Sequence, residues 1–310
     1  MIEISIVITT LNPNLERLRR TLEGLASQTL SADRWEIVLV DNASKPPMQL
    51  SSFDPTGQYH NLRLLREERL GSTFGRLKGV EESRGEIIVV VDDDCVLKSD
   101  YLVRTLDIFQ RFPQLGVGGG RRIPEWVDYP PEPWVEEFYP LLALDDARGV
   151  GEKVGPISTL SDHTPLGAGM IARKAALTPW FKHSRTSTEM VAGRVGSELI
   201  SAEDHDMVLH AAKAGWHIGF FPQLVLTHLI PGKRLSRDYL GRLNRDTAVS
   251  FVQMLVRHGQ TPQTPAARWT LPLRKARSFF RHRAWKGPAE FVRWKGHCGI
   301  FDARAWLNER

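Results

Sequence analysis

Five consecutive aliphatic residues, 87–91, lead directly into three aspartates, Asp92, Asp93 and Asp94. An unbroken, β-branched run of this length predicts a strand that is buried on both faces, as in a parallel sheet. Three adjacent carboxylates repel one another strongly unless a cation lies among them. Hard divalent cations such as Mg²⁺ and Mn²⁺ take oxygen ligands. The pattern therefore predicts a metal site at a strand end, with a solvated acidic turn as the alternative.

The segments before this strand predict an open α/β sheet. Apolar runs at 4–10 and 36–40 predict two more strands, and leucines at helical spacing predict a helix between them. Alternating strands and helices with connections of this length are typical of parallel strands joined by right-handed crossovers. Two of these strands end in aspartate, at Asp41 and Asp92. Ligands of such sheets bind beyond the carboxyl ends of the strands, so we expect a nucleotide at this edge.

A second acidic cluster, residues 203–206, begins a predicted helix. The helix dipole and capping explain one or two acids in a first turn, but explain three less well. Asp204 shares a helix face with Val208 and Ala211 at a spacing of three to four residues, which predicts that it faces the sheet, whereas Asp206 diverges. Farther on, His228 follows the last apolar run. A lone histidine there is usually structural, and its place beyond a strand end makes it a candidate third metal ligand.

The 310-residue chain has room for one large domain plus an appendage. Residues 268–310 contain eleven Lys and Arg but three acids, which predicts a surface for nucleic acid, an anionic membrane or an acidic substrate. The alternative is a packed terminal helix with a solvated basic face. The two cysteines form no ligand spacing and predict a reducing compartment without structural zinc. The first residues predict no signal peptide, and no apolar run predicts a membrane span.

Taken in order, the motifs of this chain resemble those of the family-2 glycosyltransferases with the GT-A fold. The motifs are Asp41-Asn42-Ala43-Ser44, Asp92-Asp93-Asp94, Gly167-Ala168-Gly169-Met170, Glu203-Asp204-His205-Asp206 and His228, and the likeness covers about residues 4–239. The resemblance implies an α/β fold with a Rossmann-like, mostly parallel sheet flanked by helices. It implies a catalytic domain over 1–232, with a nucleotide-sugar half at about 1–122 and an acceptor half at about 123–232. Residues 233–310 are then a helical, basic C-terminal extension.

The family pattern also implies roles for residues of this chain. The residues on the nucleotide-sugar side are Thr9, Asn12, Asp41, Arg76, Asp92 and Asp93. Among them, Asp41 would contact the nucleobase, with Thr9 and Asn12 lining its pocket, and Asp92 would face the ribose or the sugar. Asp94 would bind Mn²⁺ or Mg²⁺ at the diphosphate, and His228 would complete the metal shell. Glu203 and Asp204 match the acceptor-site pair of acids, with Asp204 as the general base.

The resemblance implies metal-dependent, inverting transfer of a sugar from a UDP-, GDP- or dTDP-sugar to the hydroxyl of a saccharide or lipid-linked acceptor. A hexosyltransferase of this kind would act in surface polysaccharide or glycolipid biosynthesis. We expect it to be cytoplasmic and peripheral on the inner face of the plasma membrane, with the basic tail on an anionic membrane surface and no nucleic acid as partner.

Two other functions remain open at this point. A nucleotidyltransferase of similar fold normally has a glycine-rich, basic loop after the first strand, and residues 9–14 contain neither glycine nor a basic residue. A non-catalytic protein that binds sugar nucleotides or nucleic acid would not need the acids at 203–206 beside an intact aspartate triad.

Overall fold

The computed structural model describes residues 1–147, 149–161, 163–186, 199, 201–260 and 263–309. The chain forms two compact units. The first comprises Met1–Glu125, Leu144–Ala192 and Asp204–Leu229, and the second comprises Trp126–Ala143, Gly193–Glu203 and Ile230–Arg310. The division of the catalytic region into a nucleotide-sugar half and an acceptor half stays a prediction.

In the described part of the first unit, helices flank a nine-stranded sheet. Its elements in chain order are β1 (Ile4–Thr10), α1 (Leu15–Ala26), β2 (Trp35–Asn42), β3 (Leu62–Glu67), α2 (Ser72–Glu82), β4 (Ile87–Asp92), β5 (Cys95–Leu97), α3 (Tyr101–Arg111), β6 (Leu115–Trp126), β7 (Lys153–Gly155), β8 (Met170–Arg173), α4 (Lys174–Thr186), α5 (Glu203–Lys213) and β9 (His217–Ile230). The strand order is β3-β2-β1-β4-β8-β6-β9-β5, and β7 pairs with β9.

The predicted α/β sheet flanked by helices is confirmed, and its pairing is mixed. Strands β3, β2, β1 and β4 are parallel, as expected, whereas β8 pairs antiparallel with β4 and β6, and β9 pairs antiparallel with β5 and β7. The sequence therefore predicted the parallel half, and "mostly parallel" overstates the rest. The burial pattern gives the reason. Residues of β1, β2 and β4 are buried almost without interruption, but those of β9 alternate over 224–228, as in antiparallel strands with one face on the core.

Strand β4 lies between two hydrophobic clusters, one on each face of the sheet. Val89 and Val91 pack on one face with Leu18 and Leu22 of α1 and Leu102 of α3. The side chains of Ile88 and Val90 pack on the other face with residues of α2, α4 and α5. All five residues of the aliphatic run, 87–91, are buried, so the run is a strand covered on both faces, as predicted. Its carboxyl end is fixed by packing on both sides.

The second unit is largely helical where the structure describes it. A 3-10 segment, Pro133–Leu142, precedes three helices in chain order, α6 (Arg237–Arg257), α7 (Leu271–Arg281) and α8 (Pro288–Asn308). Helices α6 and α8 pack closely because Gly299 lies against the carbonyl oxygen of Arg245, where a Cβ atom would collide. The predicted helical, basic C-terminal region is confirmed. Among the described residues, no helix has both the length and the apolar character that crossing a membrane requires.

A buried glutamate in β2 joins neighbouring strands at the amino edge of the sheet. Glu36 is 3% exposed. Its Oε1 accepts hydrogen bonds from the Ser5 hydroxyl at 2.8 Å and the Arg84 backbone N–H at 2.7 Å, and its Oε2 accepts one from Nε of Arg63 at 3.0 Å. The carboxylate is therefore buried with its partners around it.

We predict that Glu36→Ala lowers the free energy of unfolding by about 3 kcal/mol, because it leaves the buried partners of a charged group unpaired. Chemical denaturation monitored by circular dichroism measures the change. Asp107→Ala is the control, since Asp107 also pairs with an arginine, Arg111, but on the exposed face of α3. Equal stability of the two variants would contradict the prediction.

Candidate active site

The three aspartates at the end of β4 have different surroundings. Asp92 ends the strand with its side chain 40% exposed, and its Oδ1 lies 3.4 Å from Nη2 of Arg76. Asp93 accepts a hydrogen bond from the hydroxyl of Thr10 in β1. Asp94 is buried, 3% exposed, in the turn that leads into β5. The turn therefore separates the three carboxylates, and each has a contact of its own.

Asp94 lies in a buried cluster with Cys95 and His228. Cys95 and His228 are register partners of the antiparallel pair β5 and β9, and the Leu229 N–H donates to the carbonyl of Asp94 at 2.8 Å. His228 Nε2 is 3.3 Å from Asp94 Oδ1, and Cys95 Sγ is 3.8 Å from the same oxygen. The ligand atoms of the three residues all lie within 4.8 Å of one another. Arg17 of α1 approaches the other oxygen, Oδ2, at 3.9 Å.

The donor set fits a divalent ion. A carboxylate oxygen and an imidazole nitrogen are ligands that Mn²⁺ accepts, and Mg²⁺ favours the oxygen donors. Cys95 adds a thiol, which is a softer ligand. Asp94 and His228, which the family resemblance assigned to the metal, are thus brought together by the structure, and Cys95 joins them.

Arg76 of α2 connects Asp92 with Asp204 of the second acidic cluster. Arg76 is 6% exposed. Its guanidinium group lies 3.4 Å from Asp92 through Nη2 and donates a hydrogen bond through Nη1 to Asp204 Oδ1. Gly167 lies directly against both groups, and a Cβ atom there would collide with Arg76 and with Asp204. The small residue is therefore needed for the two charged groups to meet.

Thr9 lies beside the same arginine-bearing helix. It pairs in register with Asp92 across β1 and β4. Its side chain fills the space beside Gly75 of α2, where a Cβ atom would collide with it. Helix α2 thereby packs closely on β1, and this packing places Arg76, the next residue, at the carboxyl edge of the sheet.

Asp204 lies in the first turn of α5 with its side chain 21% exposed. Burial favours the neutral acid, but the charge of Arg76 and a hydrogen bond from the Gly167 N–H outweigh it and hold the pKa of Asp204 below its ordinary value. Glu203, the first residue of α5, is buried and is assigned to the second unit. Asp206 is buried and lies 3.7 Å from His210, one turn along the helix. The acids at 204 and 206 therefore have different partners.

Asp41 at the end of β2 organises the loop that follows it. Its Oδ1 accepts from the Ser44 N–H at 3.0 Å, and its Oδ2 accepts from the Met48 N–H at 2.9 Å and from Arg66 at 2.5 Å. Burial opposes ionisation, but the hydrogen bonds from Ser44, Met48 and Arg66 hold the pKa of Asp41 below its ordinary value. Asp41 is 2% exposed, so these partners cover its carboxylate.

Asn12 reaches the same loop from β1. Its backbone N–H donates to the hydroxyl of Ser44 at 2.8 Å, and its Oδ1 accepts from the Lys45 N–H at 2.9 Å. The residue has a positive φ of 47°, which asparagine tolerates better than most residues. Asn12 and Asp41 are therefore linked through Ser44, and together they fix the loop beyond β1 and β2.

Sequence reasoning missed three residues near these acids, namely Arg17, Arg66 and Cys95. The only sequence signal for Cys95 is its position directly after the aspartates. The two arginines carry no signal, because their side chains reach the acids from α1 and β3 through tertiary packing.

Known proteins resemble this chain in sequence and in fold. Residues 5–158 match the model of Glycosyl transferase family 2. A glucosyl-dolichyl phosphate glucuronosyltransferase of Haloferax volcanii is 29% identical over 152 residues, which cover 48% of this chain and 47% of that protein. Glycosyltransferase AglE of the same organism is 31% identical over 102 residues, which cover 33% of each chain. The chain thus matches half or less of the length of these two relatives.

A solved structure gives the fold comparison. The crystal structure of S. aureus TarS 1-349 in complex with UDP-GlcNAc aligns with 81% of this chain and 67% of its own, with a TM-score of 0.51 and 17% identity. At this identity the likeness concerns the fold alone. The family match places residues 5–158 in glycosyl transferase family 2, and the likeness to TarS agrees with the GT-A fold of the chain.

Proposed function

We propose that this protein is a glycosyltransferase that moves a sugar from a UDP-, GDP- or dTDP-sugar to a hydroxyl acceptor, with a divalent metal ion and with inversion. The observation that carries the proposal is the placement of Arg76 between Asp92 and Asp204, together with the buried cluster of Asp94 and His228. One carboxylate then faces the donor and another faces the acceptor across a single cation. The UDP-GlcNAc in the TarS structure supports a nucleotide-sugar donor.

On the donor side, Asp94 and His228 would hold Mn²⁺ or Mg²⁺, with Cys95 as a third donor. Such an ion supplies Lewis-acid neutralisation of a leaving diphosphate. We assign the sugar or ribose side to Asp92, whose side chain is 40% exposed, and we assign to Asp93 the fixing of β1 through Thr10. Thr9 and Asn12 would line the base pocket. Asp41 would position that pocket through the loop it holds, and direct contact with a base requires Arg66 to move.

On the acceptor side, Asp204 would take the proton of the attacking hydroxyl. A general base works best when its pKa lies near the operating pH, and Arg76 keeps the pKa of Asp204 low. We propose that a bound diphosphate attracts Arg76 away from Asp204. The carboxylate then loses its cation and becomes more basic when donor is present. Attack by one hydroxyl from the face opposite the leaving group gives inversion, and Glu203 supports the start of α5 on which Asp204 lies.

The acceptor and the place of reaction are proposed from a relative and from the tail. The Haloferax relative is named as a glucuronosyltransferase for glucosyl-dolichyl phosphate, which supports a lipid-phosphate-linked acceptor, with a saccharide as the other option. We therefore propose a role in surface polysaccharide or glycolipid biosynthesis. The chain would act peripherally at the cytoplasmic face of the membrane, with its basic C-terminal region toward anionic lipid.

The test of the proposed function is a panel of nucleotide sugars with saccharide and lipid-phosphate acceptors, with Mn²⁺ present. We expect release of nucleoside diphosphate from one donor, and a fall in kcat of about 10³-fold in Asp204→Asn, because the general base is lost. Asp206→Asn is the matched control and should retain transfer, since Asp206 faces His210. Release of pyrophosphate from a nucleoside triphosphate and a sugar phosphate, assayed in parallel, would instead indicate a nucleotidyltransferase. Full activity of Asp204→Asn would refute its role as base.

A second prediction concerns the metal. Asp94→Asn should weaken Mn²⁺ binding at least tenfold, because it removes the buried anionic ligand of the cluster. Isothermal titration calorimetry of the protein without donor measures this. Cys95→Ser shows whether the sulfur is a ligand, and Asp107→Asn, on the exposed face of α3, is the control. Unchanged Mn²⁺ affinity in both Asp94→Asn and His228→Gln would show that the metal does not bind at this site.

A third prediction concerns pH. Asp204 is active as base when ionised, and the cation of Arg76 lowers its pKa. Removing that cation in Arg76→Gln raises the pKa of Asp204 in the enzyme without donor, so the acidic limb of the kcat/KM profile, which reports the free enzyme, should move to higher pH. Arg76→Lys should restore part of the shift. Lys78→Gln is the control, because Lys78 lies on the same helix but pairs with Glu82. An unshifted limb in Arg76→Gln would exclude the coupling.

A further inference from the structure

The segment from Arg268 to Gly287 is the most cationic stretch of the chain that the structure describes. It holds seven Lys and Arg and no acidic residue. It comprises a 3-10 turn, α7 and the turns that follow, all within the second unit. The charge is therefore concentrated on one helix and its flanks.

The same segment exposes large apolar side chains to solvent. Trp269 is 83% exposed, Leu273 76%, Phe280 67% and Trp285 56%. Leu273 and Phe280 lie two helical turns apart on α7, and Trp269 precedes Leu273 by one turn, so the three share one face. An apolar row of this size on a protein surface marks an interaction site.

The opposite face of α7 is anchored to α8, which fixes the exposed row in place. Phe279 packs against Trp294 with ring centroids 5.1 Å apart, and the Trp294 indole N–H donates to the carbonyl of Lys275 at 3.1 Å. Lys275 itself pairs with Asp302 of α8 at 2.5 Å, and Ser278 is buried. The apolar residues on the outer face of α7 therefore take no part in its packing against α8.

The cations that border the apolar row differ from the other basic residues of the region. Lys275 and Arg268 are paired with Asp302 and Glu309. The side chains beside the row are exposed, and within the described residues none of them pairs with a carboxylate; they are Arg277, Arg281, Arg283 and Lys286. Burial and the neighbouring Arg281 and Arg293 lower the pKa of His282, which is consistent with a positive local field. The surface formed by Trp269, Leu273, Phe280, Trp285 and these four cations is called the basic aromatic surface below.

We propose that the basic aromatic surface docks on an anionic lipid bilayer, with the apolar row among the acyl chains and the four cations at the headgroups. Amphipathic helices that lie in the membrane interface combine a row of Trp, Phe and Leu with flanking Lys and Arg. Trp side chains favour the interfacial region. The unpaired cations supply the charge complementarity that selects anionic lipid over zwitterionic lipid.

This inference deepens the proposed action at a membrane face and rests on that proposal for its biological sense. Its physical test needs no donor or acceptor. Failure of lipid binding and failure of sugar transfer are therefore observed separately.

The experiment measures co-sedimentation of the full chain with vesicles of phosphatidylcholine alone, or of phosphatidylcholine and phosphatidylglycerol in equal parts. We expect binding to the anionic vesicles only, weakened by salt. Arg277→Gln with Arg281→Gln should weaken it about 25-fold, at about fivefold per charge. Arg19→Gln with Arg242→Gln removes the same charge from exposed positions elsewhere and should change binding little.

The apolar row has its own variant pair. Trp269→Ser with Leu273→Ser replaces the two most exposed side chains of the row and should weaken binding at least tenfold, while circular dichroism and thermal unfolding stay unchanged. Leu50→Ser with Val103→Ser, exposed residues of the first unit, are the controls. The proposal is overturned if the full chain binds neither kind of vesicle, or if neither the arginine pair nor the Trp269 and Leu273 pair of substitutions weakens binding. It is also overturned if light scattering shows a dimer that Trp269→Ser with Leu273→Ser dissociates.

Discussion

Acidic side chains converge at the carboxyl edge of this sheet, and the site depends on the cations that oppose them. Each of three arginines approaches a different carboxylate or pair of carboxylates. The pairs are Arg66 with Asp41, Arg17 with Asp94, and Arg76 with both Asp92 and Asp204. Without them the convergence would cost several kcal/mol of mutual repulsion at low local dielectric. The arginines come from β3, α1 and α2, so the sheet edge and its surrounding helices are joined by charge as well as by packing.

Part of this arrangement was predictable because it is local. The aliphatic run at 87–91 makes a strand buried on both faces, and the residue after a strand end lies at the edge of the sheet whatever the rest of the chain does. The helix-face argument for Asp204 is local too, and its carboxylate contacts Arg76. Such predictions need only the periodicity of strands and helices.

The remainder depends on pairings between distant segments. Cys95 meets His228 because β5 pairs with β9 in one register, and a shift of one residue would turn the side chains to the other face. The chain has 41 Lys and Arg residues. Which of them contacts an acid depends on where the helices pack, and local sequence patterns do not predict this. The mixed sheet is another case, since antiparallel strands β8 and β9 are joined to their partners by non-local hydrogen bonds. Residues 126–143 likewise associate with the C-terminal helices through the bond from Val127 N–H to Ile230 and the pairing of Arg293 with Glu137.

The charges at the site bear on the proposed metal ion. Asp92, Asp93, Asp94 and Asp204 carry four formal negative charges; Arg17 approaches Asp94, and Arg76 approaches both Asp92 and Asp204. In the proposed function a diphosphate would enter at this edge, where these carboxylates would repel its negative charge in a partly buried site. A divalent cation would reduce that repulsion, and we propose Asp94 and His228 as the ligands that would hold it. Arg76 contacts both Asp92 and Asp204, so a second source of positive charge would let a diphosphate attract Arg76 without leaving these carboxylates unopposed.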